Sequence, residues 1–120
     1  MCPVCSSQVE STSHVFTSCP IALACWRRLR INFVFDPGGS FRSWLELIFQ
    51  TLPEESVCSV AMVCWSLWMA RNKTVWKKKS TFVMEVIASA RTGLDQWKKA
   101  QDKIALNSLC LEYKGDGAEL

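Results

Sequence analysis

Apolar residues recur at intervals of three and four along two long stretches in the second half of the chain. The first stripe consists of Val57, Val60, Ala61, Cys64, Leu67, Trp68, Arg71 and Val75. The second consists of Val83, Val86, Ile87, Ala90, Leu94, Trp97 and Ile104. This spacing matches one face of an α-helix. Because the lysines at 77–79 favour a helix C-terminus and Ser80 and Thr81 restart the chain, the pattern predicts a long antiparallel helical hairpin.

Two shorter helices are predicted before the hairpin. Pro20, directly after Cys19, is suited to the first position of a helix because its missing N–H leaves no hydrogen bond unmade there. The apolar face of this helix consists of Ala22, Cys25, Trp26 and Leu29. After a Pro-Gly loop at 36–39, Ser40 is placed to cap a second helix. The apolar face of that helix consists of Phe41, Trp44, Leu45, Ile48 and Leu52.

The start of the first hairpin helix is indicated by Thr51 and Glu54, which have the spacing of a capping box. Strand-like alternation is absent, although the short apolar run at 31–35 is ambiguous. The expected fold class is therefore mainly α: a small N-terminal turn, short helices and a long antiparallel helical hairpin.

Both ends of the chain lack helical periodicity. The first nineteen residues are polar, yet they hold three of the cysteines and the only histidine. From Asn107 the apolar pattern fails again, which predicts a loose tail over 107–120. The chain then divides into a Cys/His segment with the first helix at 2–35, a helical region at 40–106 and this tail.

Composition indicates one folded domain. The 120 residues are 49% hydrophobic and 21% charged, which is too apolar for a disordered chain. This length is too short for a full polymerase or a two-domain enzyme. The most apolar run, 57–70, is shorter than the roughly 17 residues that a membrane span needs, so it is expected to be a core helix.

The cysteines indicate a reducing, intracellular compartment. There are seven of them, an odd number, and no basic and apolar leader follows Met1. Both observations are unlike a secreted disulfide scaffold.

Four residues of the types that bind metals, three cysteines and one histidine, lie close together in the order Cys2-x2-Cys5-x8-His14-x4-Cys19. A Cys-x2-Cys turn can direct two sulfurs at one point, and three thiolates with one imidazole complete a tetrahedral zinc shell. Such a closed shell predicts a structural zinc ion, and a thiolate at Cys19 would also be favoured by the positive end of the helix that follows. Two alternatives stay open: ordinary cysteines in a Cys-rich chain, and Cys25 as a competing ligand.

The basic residues suggest a nucleic-acid contact. A run without acids contains Arg71, Lys73, Lys77, Lys78 and Lys79, and Arg27 and Arg28 lie in the first helix. Lysine and arginine clusters of this kind bind phosphates weakly and without sequence preference. The alternative is a solvated helix end, since the net charge is only +3. The six tryptophans recur at helical spacing, which favours core packing over base stacking.

Catalysis is not expected. The chain has no Gly-rich phosphate loop and no Gly-x-Ser-x-Gly elbow, and its single histidine is better used as a metal ligand. The adjacent Glu54 and Glu55 belong at a helix N-terminus, where the helix dipole favours negative charge.

The order of these features resembles the zinc-binding segment of plant LINE-like (non-LTR) retroelement reverse transcriptases. The resemblance rests on Cys2-Pro3-x-Cys5, then Glu10-Ser11-x-x-His14-Val15-Phe16-x-x-Cys19-Pro20 and Trp26, and on Trp65-x2-Trp68-x2-Arg71-Asn72. It covers about residues 2–76. It implies that Cys2, Cys5, His14 and Cys19 bind zinc. It also implies that the segment lies between a polymerase and a ribonuclease H domain in the polyprotein, and that its role there is to bind nucleic acid.

The resemblance also implies that the chain is a fragment of a larger polyprotein. Asp116, within Lys114-Gly115-Asp116-Gly117-Ala118, resembles only the first metal-binding carboxylate of a ribonuclease H domain. Its other carboxylates and the polymerase aspartates have no counterpart, so two-metal hydrolysis is not expected.

The sequence thus predicts a non-catalytic, zinc-stabilised nucleic-acid-binding fragment of a retrotransposon reverse transcriptase polyprotein. The analogy and the lysines at 77–79 make the nucleus a possible location. The alternative is a protein-interaction module, in which zinc is purely structural and a Trp-rich hairpin docks a partner or a second copy. Neither hypothesis involves a membrane.

Overall fold

The computed structural model describes the backbone of residues 1–31 and 40–118, and the side chains of these residues as far as 104. A π-helical turn, His14–Ser18, is followed by α1 (Pro20–Arg28), α2 (Phe41–Thr51), α3 (Glu54–Lys77) and α4 (Val83–Ala118). No strand occurs in the described ranges. The predicted fold class is confirmed: the protein is mainly helical, with a Cys/His cluster at its N-terminus and a hairpin of α3 and α4.

Helix α1 begins as its sequence predicts, and it ends in a motif that the sequence analysis did not identify. Cys19 is the N-cap in an extended conformation and Pro20 occupies the first turn. At the other end, Ile31 N–H donates to the Trp26 carbonyl and Arg30 N–H to that of Arg27. These two bonds form a Schellman motif, with Arg30 in the left-handed position at φ 59°. The buried face of α1 is formed by Ala22, Cys25 and Trp26.

Helix α2 is capped by Ser40, whose hydroxyl accepts a hydrogen bond from Ser43 N–H at 3.1 Å. Trp44 and Ile48 form its buried face. The Trp44 ring lies 5.4 Å from that of Trp26, so α2 packs on α1 through an aromatic pair. The loop predicted at 36–39, and all of the ambiguous run after Ile31, lie outside the described residues.

The capping box predicted at Thr51 is wrong. Thr51 is the last residue of α2, and its hydroxyl donates to the Leu47 carbonyl of the preceding turn at 2.6 Å. Helix α3 begins at Glu54 after Pro53, with no side-chain cap. A threonine near a helix end can bond backward to its own helix, and here that interaction prevails over a cap for the next one.

The hairpin is held by apolar contacts between α3 and α4. The buried residues are Val60, Val63 and Leu67 on α3 and Val86, Ile87 and Ala90 on α4. The Ser66 hydroxyl, also buried, donates to the Val86 carbonyl at 2.7 Å. The predicted stripe on α3 is therefore rotated, because Val63 and Ser66 face inward whereas Trp68 is 45% exposed.

The turn of the hairpin begins where the lysines predict. Lys77 is the last residue of α3, and Lys78 ends the helix in the left-handed conformation, at φ 53°. The hydroxyls of Thr74 and Thr81 lie 2.9 Å apart and tie the end of α3 to the loop that leads into α4.

The loose tail predicted from Asn107 is not observed as far as Ala118, because α4 continues through it. Loss of apolar periodicity removes a packing face but leaves the backbone hydrogen bonds of a helix intact. The segment contains no proline, which is the residue that would break those bonds. Among the described residues, no helix has both the length and the apolar character required to cross a bilayer.

Candidate metal centre

Four side chains converge beside the start of α1. One sulfur each from Cys2, Cys5 and Cys19 and one ring nitrogen of His14 all lie within 4.8 Å of one another. These residues form a group that could hold a metal ion, as their spacing in the sequence predicts. Cys25 is not part of the group; it is fully buried on the core face of α1.

A tight turn brings the first two cysteines together. Ser6 N–H donates to the Cys2 carbonyl at 2.8 Å, and Cys2 N–H donates to the Gln8 carbonyl at 2.7 Å. Ser6 has a φ of 57°, a left-handed conformation that reverses the chain directly after Cys5. The turn therefore directs both sulfurs to the same side.

The π-helical turn explains the four-residue spacing between His14 and Cys19. Cys19 N–H donates to the His14 carbonyl at 2.6 Å, five residues earlier. A bond of this span closes a wider turn than that of an α-helix, so residues five apart come onto the same side. Ser11 and Thr17 support the turn: the Ser11 hydroxyl accepts from His14 N–H at 3.0 Å, and the Thr17 hydroxyl donates to the Ser13 carbonyl.

The four atoms are close enough to share one metal ion. His14 Nε2 lies 3.3 Å from Cys5 Sγ, and no two of the four atoms are more than 4.8 Å apart. Zinc binds thiolate sulfur at about 2.3 Å, so neighbouring ligands of a tetrahedral site lie roughly 3.5–3.8 Å apart. Small side-chain movements would bring the longer separations to this value. Cys2, Cys19 and His14 are at most 5% exposed, which shields the site from water.

The imidazole of His14 is oriented with one nitrogen toward the sulfurs. Its Nδ1 is buried and has no hydrogen-bond partner among the described residues. Nε2, which lies 3.3 Å from Cys5 Sγ, is therefore the nitrogen placed to bind a metal. Histidines that bind a metal usually donate their second ring N–H to another group, which fixes the orientation of the ring. The His14 ring lacks such a partner within the described part of the chain, so its orientation depends on packing and on the metal that it would bind.

The thiols differ in acidity, and the cause is their surroundings. Burial opposes ionisation of Cys5, but hydrogen bonds from Ser7, His14 and Cys2 lower its pKa to about 6. Burial raises the pKa of Cys19 to about 12, and repulsion from the neighbouring sulfurs adds to it. The nearby Ile21 backbone N–H lowers the pKa of Cys19, as expected at the start of a helix, but its effect does not outweigh burial. Three thiolates at this distance need a cation among them, which is what a metal would supply.

An ion pair connects this region to the hairpin. Arg71 of α3 donates to both carboxylate oxygens of Glu10, at 2.6 and 3.1 Å. The guanidinium also lies over the Trp68 ring, 5.2 Å from its centroid. This bidentate geometry lowers the pKa of Glu10, mainly through the hydrogen bond from Arg71. A second link is the Trp26 indole N–H, which donates to the Phe16 carbonyl at 2.8 Å.

The predicted nucleic-acid residues separate into three places. Arg71 is engaged by Glu10, so its charge is already matched. Lys73, Lys77, Lys78 and Lys79 are exposed at the turn of the hairpin and form no ion pair within the described residues.

Arg27 and Arg28 are exposed at the end of α1, which lies against the opposite part of the hairpin. There Leu29 shares a cavity with Met62. At 1.5 Å per helical residue, about 22 Å separates Met62 from Lys77.

Glu10 and Trp68 contribute to the site through Arg71, a role that the sequence analysis did not assign to them. The signal was Arg71 itself, a charged residue within an apolar stripe, since a half-buried charge requires a partner. The partner lies sixty-one residues away in the sequence, so spacing alone could not identify it. Comparison with protein-family models, with curated proteins and with solved structures finds no match for this chain.

Proposed function

We propose that the metal held by Cys2, Cys5, His14 and Cys19 is zinc and that it serves the structure. The proposal is supported by the donor set, since three thiolates and one imidazole suit zinc better than magnesium or calcium, which prefer oxygen ligands. Four protein ligands leave no position for a substrate, so zinc here supplies folding energy. The chain's own part is to keep three of the four donors buried, with Cys5 partly exposed, and to connect them to α1.

We further propose that this zinc-stabilised module binds nucleic acid weakly and without catalysis. The observation that carries the proposal is the exposed lysine cluster at the turn of the hairpin, formed by Lys73, Lys77, Lys78 and Lys79. Ammonium groups with no carboxylate partner are free to displace counterions from phosphates. Arg71 is not part of this surface and acts as a positioning residue for the metal-binding segment.

The origin of the chain in a retroelement reverse transcriptase polyprotein belongs to the same proposal. Glu10, Trp68, Arg71 and Asn72 all occur in the motifs that resemble that family, and these residues contact one another here. Their contacts give a physical reason for the two motifs to occur together. An intracellular, reducing location with access to the nucleus would suit a free-thiol zinc site and a nucleic-acid ligand.

The test of nucleic-acid binding is a titration of zinc-loaded protein into labelled RNA and DNA at two salt concentrations. Binding that weakens as salt rises supports the proposal, because it reports phosphate contacts. Changing Lys77 and Lys78 together to Gln should reduce the slope of log affinity against log salt concentration. Changing Arg27 and Arg28 to Gln measures separately how much the distant end of the hairpin contributes to that affinity. No affinity for any nucleic acid at low salt would refute it.

A second candidate function, protein interaction, is favoured by a different surface. An apolar groove of about 320 Å³ lies between α2 and α3. It is lined by Phe16, Phe41, Leu45, Phe49, Ala61, Cys64, Trp65 and Trp68. Of these, Phe49, Trp65 and Trp68 are each at least 45% exposed, and monomers seldom leave a large apolar patch uncovered.

Size-exclusion chromatography with light scattering tests this second candidate. Self-association that Phe49→Ser abolishes would assign the groove to a contact between copies. A monodisperse monomer over a wide concentration range would count against a self-association surface.

A further inference from the structure

A second groove adjoins the first at Trp65, extends along α3 to the turn of the hairpin, and combines aromatic and basic side chains. It has a volume of about 510 Å³, within the range of pockets that hold small ligands. Trp65, Met69 and Phe82 form its apolar part, and each of them is at least 40% exposed. Lys73 and Lys79 lie on its rim, against one carboxylate from Glu85.

We propose that this groove binds single-stranded nucleic acid, with an unpaired base against Trp65 and Phe82 and the flanking phosphates at Lys73 and Lys79. The inference deepens the nucleic-acid function proposed above and rests on it. Aromatic side chains bind any base through its π-face, and lysines on the rim follow the backbone, which together form a site without sequence preference.

The choice of a single strand follows from the exposed aromatic rings in the groove, since Trp65 is 50% and Phe82 58% exposed. In a duplex both faces of each base are stacked on neighbouring pairs, so Trp65 and Phe82 have no face to contact. Lysines alone would suit a duplex equally well, because phosphates are common to both. The presence of aromatic rings beside the lysines is therefore the feature that selects the unpaired form.

The groove has the rigidity that such a site needs. Its two walls are α3 and α4, which are fixed by the Ser66 hydrogen bond to the Val86 carbonyl. The loop at its end is held by the Thr74 and Thr81 hydroxyls. Phe82 precedes α4, and its carbonyl accepts from Glu85 and Val86 N–H. A side-chain change at Phe82 leaves these backbone bonds available.

The experiment compares zinc-loaded wild type with Phe82→Leu, using fluorescence anisotropy of labelled oligothymidylate, oligouridylate and a matched duplex. Phe82→Leu keeps an apolar residue and removes the aromatic face. We expect single-strand affinity to fall about tenfold and duplex affinity to stay unchanged. Phe49→Leu is the matched control, because Phe49 and Phe82 are both 58% exposed but only Phe82 lines this groove.

Two double lysine variants test whether the lysines on the rim contact phosphates. Changing Lys73 and Lys79 together to Gln should lower the salt slope for single strands by about 1.4, the value for two phosphate contacts. The control changes Lys99 and Lys103, which are exposed further along α4, and should leave the slope as it is. Zinc content and circular dichroism equal to wild type establish that each variant is folded. The thymidylate and uridylate arms distinguish DNA from RNA as the strand bound.

The outcomes separate the two proposals. If wild type binds no nucleic acid at any salt, the proposed function fails and this inference fails with it. If wild type binds but both groove variants match their controls, or the duplex binds as tightly as the single strand, only the groove assignment is overturned. Phe82→Leu that changes self-association and leaves oligonucleotide binding intact would overturn it in favour of a protein contact.

Discussion

The first nineteen residues and the hairpin of α3 and α4 bury different kinds of side chain. In the N-terminal region the buried side chains are mostly potential metal ligands and polar groups: Cys2, His14, Val15, Thr17 and Cys19. Met1 and Val9 are each 80% exposed. In the hairpin the interior consists of aliphatic side chains in direct contact. Cys2 and Cys19 also belong to the apolar cluster that contains the buried hairpin residues. The proposed zinc would tie this polar segment to that cluster, because the segment has few apolar side chains of its own to hold it there.

The N-terminal region contacts the hairpin directly through two side-chain pairs. Arg71 of α3 pairs with Glu10, and the rings of Phe16 and Trp68 have their centroids 6.3 Å apart. The same region also contacts α1, through the Trp26 indole and the Phe16 carbonyl, and α2, through the rings of Phe16 and Phe41 at 4.8 Å. Loss of the metal should therefore loosen the N-terminal region first and leave the hairpin folded.

The largest effect is expected from a ligand change. Cys19→Ser should reduce zinc affinity at least about a hundredfold, because a thiolate ligand is lost from a four-ligand site. Zinc content per chain, measured after gel filtration, should fall from one to near zero. Cys25→Ser is the matched control, since Cys25 is buried on the same helix but is no ligand. Equal zinc content in the two variants would contradict the assignment.

A cavity made in the hairpin should lower the stability of the protein and leave its zinc content unchanged. Leu67→Ala, at a residue that is 4% exposed, should lower the free energy of unfolding by about 3 kcal/mol. Zinc content at native conditions should stay at one per chain. Met69→Ala, at a residue 40% exposed on the same helix, should change stability by less than about 1 kcal/mol. Urea unfolding followed by circular dichroism measures both.

The link between the two regions is tested by Arg71→Lys. Lysine keeps the charge but cannot form the two parallel hydrogen bonds to Glu10, so we expect a loss of about 1–2 kcal/mol. Arg42→Lys is the control, because the Arg42 side chain is 88% exposed and its pair with Glu46 lies in solvent. A loss at Arg42 as large as that at Arg71 would argue against a special role for the link.

The smallest expected effect is the pH dependence of the stability that the Arg71–Glu10 pair contributes. Arg71 lowers the pKa of Glu10 below its ordinary value of 4.5, so ionised Glu10 favours the folded state. This contribution is fully present above pH 4.5 and is lost as the pH falls through the folded-state value. The stability difference between wild type and Glu10→Gln should therefore be constant near neutrality and shrink on acidification. A difference that grows toward low pH would reverse the sign that we assign.

Much of this architecture could be predicted from the sequence, because local signals coincide with the observed contacts. Ser40, Pro20 and the lysines at 77–79 mark helix ends through backbone chemistry that needs no tertiary partner. The four ligand residues lie within the first nineteen positions, so short turns suffice to bring them together.

The features that the sequence analysis did not predict depend on contacts between residues that are distant in the sequence. Helix α3 is apolar on more than one face, so periodicity alone could not decide between Val63 and Trp68 as the inward residue. The pairing of Arg71 with Glu10 joins segments sixty-one residues apart. The groove at the hairpin turn requires Trp65 of α3 and Phe82 of the loop before α4 to share one surface, which no local pattern encodes.

The most direct test of the account is to remove the metal from the purified, reduced protein and follow the two regions separately. Cobalt substitution reports the site through its thiolate charge-transfer bands, and hydrogen exchange reports the backbone. We predict one metal per chain, loss of protection over residues 1–19 when a chelator removes it, and retained protection in α3. A chain that carries no metal, or one whose N-terminal protection survives the chelator, would contradict the claim that a metal holds this region in place.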